Sequence, residues 1–263
     1  MPDATLAETL GSAVIAEWDA SIAGLMFTDV AKTTPVSDGS LMEAVESTAL
    51  GGSHDLTELT IKPTYRADAN GSGYPGIGMF NKSLSLSHSG FAVANWFAIV
   101  VATYNGTPAS ADTILMRGST SAFQRLDHSG STTMRLQSIG EPVAITDATM
   151  AAPSGRFCVA LGSRSNGTTG SHWLSSVGQR AGTSAGTPPT GNGGFWVGSR
   201  GGTMQFFDGW IHHIVVIDET CHRGGIENAA RILRNKWGID DPDPMPQAAS
   251  GGTGGFPLSR LVN

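Results

Sequence analysis

The chain has 263 residues, 35 of them glycine, with 14% charged residues and a 40% hydrophobic fraction. Glycine stands well above its usual ~7% and charge well below ~25%, the balance of a turn-rich globular chain long enough to bury one large core. A net charge of −6 with no run of Lys or Arg offers phosphates no basic field and excludes nucleic acid as a partner.

Met1 to Trp18 has no positively charged stretch leading into an apolar one, so it does not read as a secretory leader. The longest apolar run, Phe97 to Ala102, is far short of the ~20 residues a membrane span needs. A chain made soluble in a cytosol, with no membrane partner, is expected. Residues 1–13 form an N-terminal arm, and Val14–Trp18 reads as a strand. Residues 19–90 mix Gly, Ser and Thr without a period, predicting irregular loops and one or two strands, around Leu59–Tyr65 and Ile77–Leu86.

From Trp96 onward, short apolar or alternating segments recur between turn signals at the ~8–12-residue spacing of sandwiches and barrels. They are Trp96–Tyr104, Thr113–Gly118, Phe123–Asp127, Thr133–Ile139, Pro142–Thr146, Arg156–Arg164, His172–Gln179, Gly194–Ser199 and Met204–Asp218. Asn105-Gly106 and Asn166-Gly167 sit between such segments, and Asn-Gly supplies the positive φ of tight hairpin turns. Ile226, Ala230, Leu233 and Trp237 fall on one face of a helix, closed by Gly238 as a C-cap. Asp240 to Pro246 (DDPDPMP) then makes a stiff, extended linker, followed by a glycine-rich spacer and an apolar end, FPLSRLVN. The chain thus divides into 1–13, a sandwich over 14–239, and a linker and tail over 240–263.

Several motifs fail for want of context. Gly71-Ser72-Gly73-Tyr74-Pro75-Gly76 fits the dinucleotide pattern, but Pro75 forbids the helix that must follow. Gly182-Thr183-Ser184-Ala185-Gly186 fits a nucleophile elbow, yet Thr187-Pro188-Pro189 stands where its helix belongs. Among seven histidines, His212 and His213 adjoin, and neighbours on a strand point to opposite faces; no metal is expected, nor any cofactor. Cys158 and Cys221 read as reduced packing residues. Glycoside hydrolysis needs two carboxyls flanking the scissile bond; Glu17-Trp18-Asp19 and Asp218-Glu219 come nearest, and each reads more simply as a strand end. No catalytic residue is assigned and no enzyme is expected. Trp173, beside the Asn166–Ser171 loop, is the candidate for stacking on a sugar, with Asn166, against the plainer reading of a core tryptophan.

Three stretches resemble a group of phage- and prophage-encoded concanavalin A/laminin-G-like proteins. The first is Ala16-Glu17-Trp18-Asp19-Ala20-Ser21, with Leu25-Met26-Phe27-Thr28-Asp29 and Thr33-Thr34-Pro35-Val36. The second is Lys62-Pro63-Thr64-Tyr65. The third is Phe207-Asp208-Gly209-Trp210-Ile211 through Ile214-Val215-Val216-Ile217-Asp218, with Lys236-Trp237-Gly238-Ile239. Glu46 to Asp55 and Phe80-Asn81-Lys82 depart from that group's pattern, so no calcium or glycan ligand carries over. With the strand pattern, the resemblance implies an all-β fold: a two-sheet antiparallel jelly-roll sandwich with one C-terminal helix. It also implies a non-enzymatic virion component (head decoration, spike, fibre or tail protein) that contacts other virion proteins and oligomerises. The alternative is an adhesin binding host-surface glycans. Phe256, Leu258, Leu261 and Val262, with Arg260 at the rim, read as a tethered motif for docking on a partner.

Overall fold

The computed structural model describes residues 6–49, 54–57, 62–79, 86–88, 96–118, 123–139, 147–165, 170–184, 194–201, 204–218 and 221–240. Their strands form two antiparallel sheets, the all-β sandwich that the alternating segments predict. In the eight-stranded sheet the order is Gln179–Ser184, Gly170–Ser176, Arg156–Ser165, Trp96–Tyr104, Gly209–Ile217, Gly76–Gly78 and Thr64–Arg66, with Val14–Asp19 also on Gly209–Ile217. The nine-stranded sheet runs Ala148–Ala151, Thr133–Ile139, Phe123–His128, Leu115–Gly118, Gly194–Val197, Leu86–His88, Leu56–Thr57, Ala44–Val45 and Met26–Phe27.

Alternate residues of each strand meet between the layers. Phe195 of the nine-stranded sheet stacks on Trp18 at 5.5 Å and meets Trp96 edge-on at 6.2 Å, both from the other sheet. Nearer the opposite end of the Trp96–Tyr104 strand, Tyr104 stacks on Phe157 at 4.7 Å. Each such buried side chain contributes about 1.5–3 kcal/mol. The outer face of the eight-stranded sheet is covered by helix Arg223–Lys236, whose Ile226, Ala229, Ala230 and Leu233 are buried along with Trp237. Gly238 closes that helix at φ +56, where Tyr74 Oη lies 2.3 Å from the place of a Cβ. Only glycine fits such a left-handed cap. A short helix, Leu6–Leu10, packs against the long one, an element the sequence does not announce.

Asn105-Gly106 is not a hairpin. The strand before it pairs with Arg156–Ser165 and Gly209–Ile217, and the strand after it belongs to the other sheet, so the chain crosses between layers there. The His172–Gln179 segment is two strands turning at Gly178, φ +64. Gly209–Ile217, inside its sheet next to Trp96–Tyr104, carries a β-bulge: its register on that strand slips between Ile211, opposite Ala102, and His213, opposite Val101. His212 is the extra residue.

Candidate functional site

On the nine-stranded sheet the side chains of Phe123, Arg125 and Asp127 point away from the sandwich interior, while Gln124, Leu126 and His128 point into it. Alternation alone demands this. Pairing sets Arg125 opposite Gln137 and Asp127 opposite Arg135, and on the other side Arg125 opposite Met116, itself opposite Trp196. The outer face therefore carries a row of planar polar groups ending in a half-buried indole. At ~4.8 Å per strand, Trp196 stands about 10 Å from Arg125.

One hydrogen-bonded network joins these groups. Arg125 Nε lies 2.8 Å from Asp127 Oδ2 and donates to Gln137 Oε1 at 3.1 Å, Nη2 donates to the same oxygen at 2.7 Å, and Nη1 donates to Gln205 Oε1. Arg135 grips both oxygens of Asp127, at 2.7 and 3.1 Å, and reaches Asp147 Oδ2 at 3.3 Å. Gln205 sits in the left-handed region, φ +54, where a non-glycine residue is strained. From there it also accepts from Arg200 at 3.4 Å. The Arg125 and Arg200 guanidiniums lie 5.2 and 4.5 Å from the Phe123 ring centroid.

Burial shapes the charges. It pushes the Asp127 carboxyl up despite two guanidinium partners, and pulls Arg125 down despite Asp127. Arg135 goes up, chiefly through its hydrogen bonds to Asp127. On the interior side Arg117 is drawn down to about 10 by burial. There Trp96 Nε1 donates to Gln124 Oε1 at 2.5 Å and Gln124 Nε2 to Ser163 Oγ at 2.6 Å, while Ser138 Oγ has no hydrogen-bond partner among the described residues.

The predicted site residues lie elsewhere. Trp173 is 9% exposed. It packs 6.0 Å from the Phe97 ring, against Gly162, with the Arg223 guanidinium 5.0 Å from its own centroid, the surroundings of a packing residue. Asn166, Glu219, the Pro142–Thr146 segment, Phe80-Asn81-Lys82 and the tail residues Phe256, Leu258, Arg260, Leu261 and Val262 fall outside the described residues. Gly182-Thr183-Ser184 lies on an edge strand. His212 and His213 do not point to opposite faces: the bulge turns both toward Trp237, with ring centroids at 5.2 and 6.1 Å. His212 is held by Thr103 Oγ1 and the Pro75 carbonyl, and His213 by Glu17. Among the described residues no cluster of three or more His, Cys, Asp or Glu is arranged to hold a metal, and no helix is long and apolar enough to cross a membrane. The Arg125–Asp127 and Arg135–Gln137 pairs had a signal: charged or amide residues at every second position of two consecutive segments.

No family model matches the chain, and neither does any curated protein. Solved structures share its fold. A Trypanosoma rangeli sialidase, in complex with a difluoro-keto-deoxy-nononic acid, aligns with a TM-score of 0.53 at 11% identity, over 87% of this chain and 33% of that one. An arabinofuranosidase complexed with arabinofuranosyl-α-1,2-xylobiose aligns at 0.52 and 9% identity, over 85% and 59%. The enzymatically active domain of tailspike protein 2 of bacteriophage CBA120 aligns at 0.46 and 15%, over 78% and 32%. The chain thus spans between a third and three fifths of the first two. The expectation that the chain is no enzyme is corrected: this sandwich occurs within glycoside-cleaving enzymes, so the fold gives no ground for excluding catalysis. That exclusion rested on the lack of carboxylates grouped along one strand. Carboxylates gather here from separate elements instead, Asp127 and Asp147 meeting on Arg135.

Proposed function

We propose that the chain is a glycan-recognising sandwich domain of a bacteriophage-type virion, engaging sugar through the outer face of its nine-stranded sheet. The observation that carries the reading is the half-buried Trp196 in register with Arg125 and Gln137. An indole face packs on the apolar side of a sugar ring, while fixed amide and carboxylate groups further along the same sheet face, beyond Met116, meet the hydroxyls. The strained Gln205 supports it, since strain of this kind collects at binding sites. The carbohydrate-active proteins of the same fold support glycans as the ligand class, and the sequence resemblance supports the virion.

The test is retention on an immobilised polysaccharide panel, with released reducing ends assayed in parallel. Trp196→Ala should lose retention while its far-UV circular dichroism and melting temperature stay close to those of the parent. Equal retention by parent and variant would move the site off this face. Reducing ends appearing in the flow-through would add turnover to recognition.

A further inference from the structure

We propose that the face takes a neutral glycan and discriminates against sialylated or uronic-acid sugars; this rests on the reading above. The argument is one of committed charge. Arg125 spends Nε, Nη1 and Nη2 on Asp127, Gln137 and Gln205, and Arg135 spends its three nitrogens on Asp127 and Asp147. Arg200 lies over Phe123 and donates to Gln205. The charge of Arg125 and Arg135 is already set against Asp127, which is fully buried, so an acidic sugar makes a full ion pair with either only by drawing it off that carboxylate. Stripping a partner from a buried carboxylate is a larger loss than an ion pair near solvent returns.

What faces outward is of the opposite kind. The Asp147 side chain is 30% exposed, and its Oδ2 accepts from Arg135 and Gln137 at 3.3 Å each, while Oδ1 takes no hydrogen bond from the described residues. That oxygen accepts from a sugar hydroxyl and repels a sugar carboxylate. The Gln205 amide nitrogen and the indole of Trp196 complete a surface matched to hydroxyls and C–H faces.

The experiment pairs each neutral glycan on an array with its sialylated or uronic-acid counterpart and applies the full chain, Trp196→Ala and Asp147→Asn. Binding to the neutral member is expected to be at least roughly tenfold tighter and to hold between about 0.05 and 0.5 M salt, since no long-range charge attraction contributes. Trp196→Ala should abolish it. Asp147→Asn should narrow the preference by admitting the acidic member. Tighter binding of the acidic glycans, falling with salt and still dependent on Trp196, would overturn the neutral-ligand inference and leave the face assigned. Binding indifferent to Trp196→Ala, or none to any glycan, would overturn the face and this inference together.

Discussion

At Gly162 the room for a side chain is already taken: a Cβ there would lie 2.1 Å from Trp173 Nε1 and 2.4 Å from a Phe97 ring carbon. Both obstacles are ring atoms locked in a core, so Gly162→Ala should destabilise by about 1–3 kcal/mol or more, measured as a lower urea midpoint. The same contact explains why Trp173, legible as an aromatic beside a loop, was ambiguous: nothing local says that the opposing residue is a glycine on which the indole will lie. Asp127 is the reverse case, a fully buried carboxylate between two guanidiniums. Asp127→Asn leaves Arg125 and Arg135 facing a neutral amide, and the expected loss is about 3–5 kcal/mol in the same measurement. That Arg125 and Asp127 share a face could be read from FQRLDH alone. That Trp196 joins them could not, because the neighbour relation runs through Met116 of another strand.

Among the elements, the first strand and the end of the long helix are fastened by ionisable groups. His213 lies 2.9 Å from Glu17 Oε1 and 3.6 Å from Asp19 Oδ1, its ring stands edge-on to Trp237 at 6.1 Å, and Lys236 pairs with Asp19. Burial alone would raise both carboxyls. The hydrogen bond and charge of His213 outweigh it at Glu17, and the charge of His213 with the Lys236 hydrogen bond outweighs it at Asp19, so both sit below the usual range. Burial also takes His128, His172 and His212 from 6.5 down to about 4. All these groups have folded values below their unfolded ones, so in acid the unfolded chain takes up protons first. Stability should therefore fall as pH drops from 6.5 toward 4 through the histidines, and further below that through Glu17 and Asp19. Urea midpoints from pH 7 to 3.5 check this, and a flat profile would contradict it. His172→Leu should flatten part of the upper slope, because it removes one of the three groups whose burial holds them neutral. The helix was legible because four apolar residues mark one face. Met26–Phe27, Ala44–Val45 and Leu56–Thr57 were not, for two residues carry no period.

Across the whole molecule, the stretches that carry the sequence resemblance come from opposite ends of the chain and meet: Glu17 with His213, Asp19 with Lys236, and Trp237 with the histidine pair. They close the domain, which is why a sequence can show them while its middle, including the polar sheet face, stays silent about ligands. Trp237 is the last large fully buried side chain among the described residues, and removing residues 247–263 should leave the melting temperature unchanged. Under the proposed docking of Phe256 and Leu261 on another virion protein, the same truncation should reduce incorporation into particles, scored by immunoblot of purified virions. The bulge at His212 has a genetic consequence. It splits Gly209–Ile217 into two runs of opposite parity, odd positions facing the interior before it and even positions after it. Losing a codon in such a strand normally turns every later side chain inside out. Losing either histidine codon instead restores simple alternation and keeps Ile214 and Val216 facing inward, so this pair is the one place in that strand where a single-residue deletion spares the core.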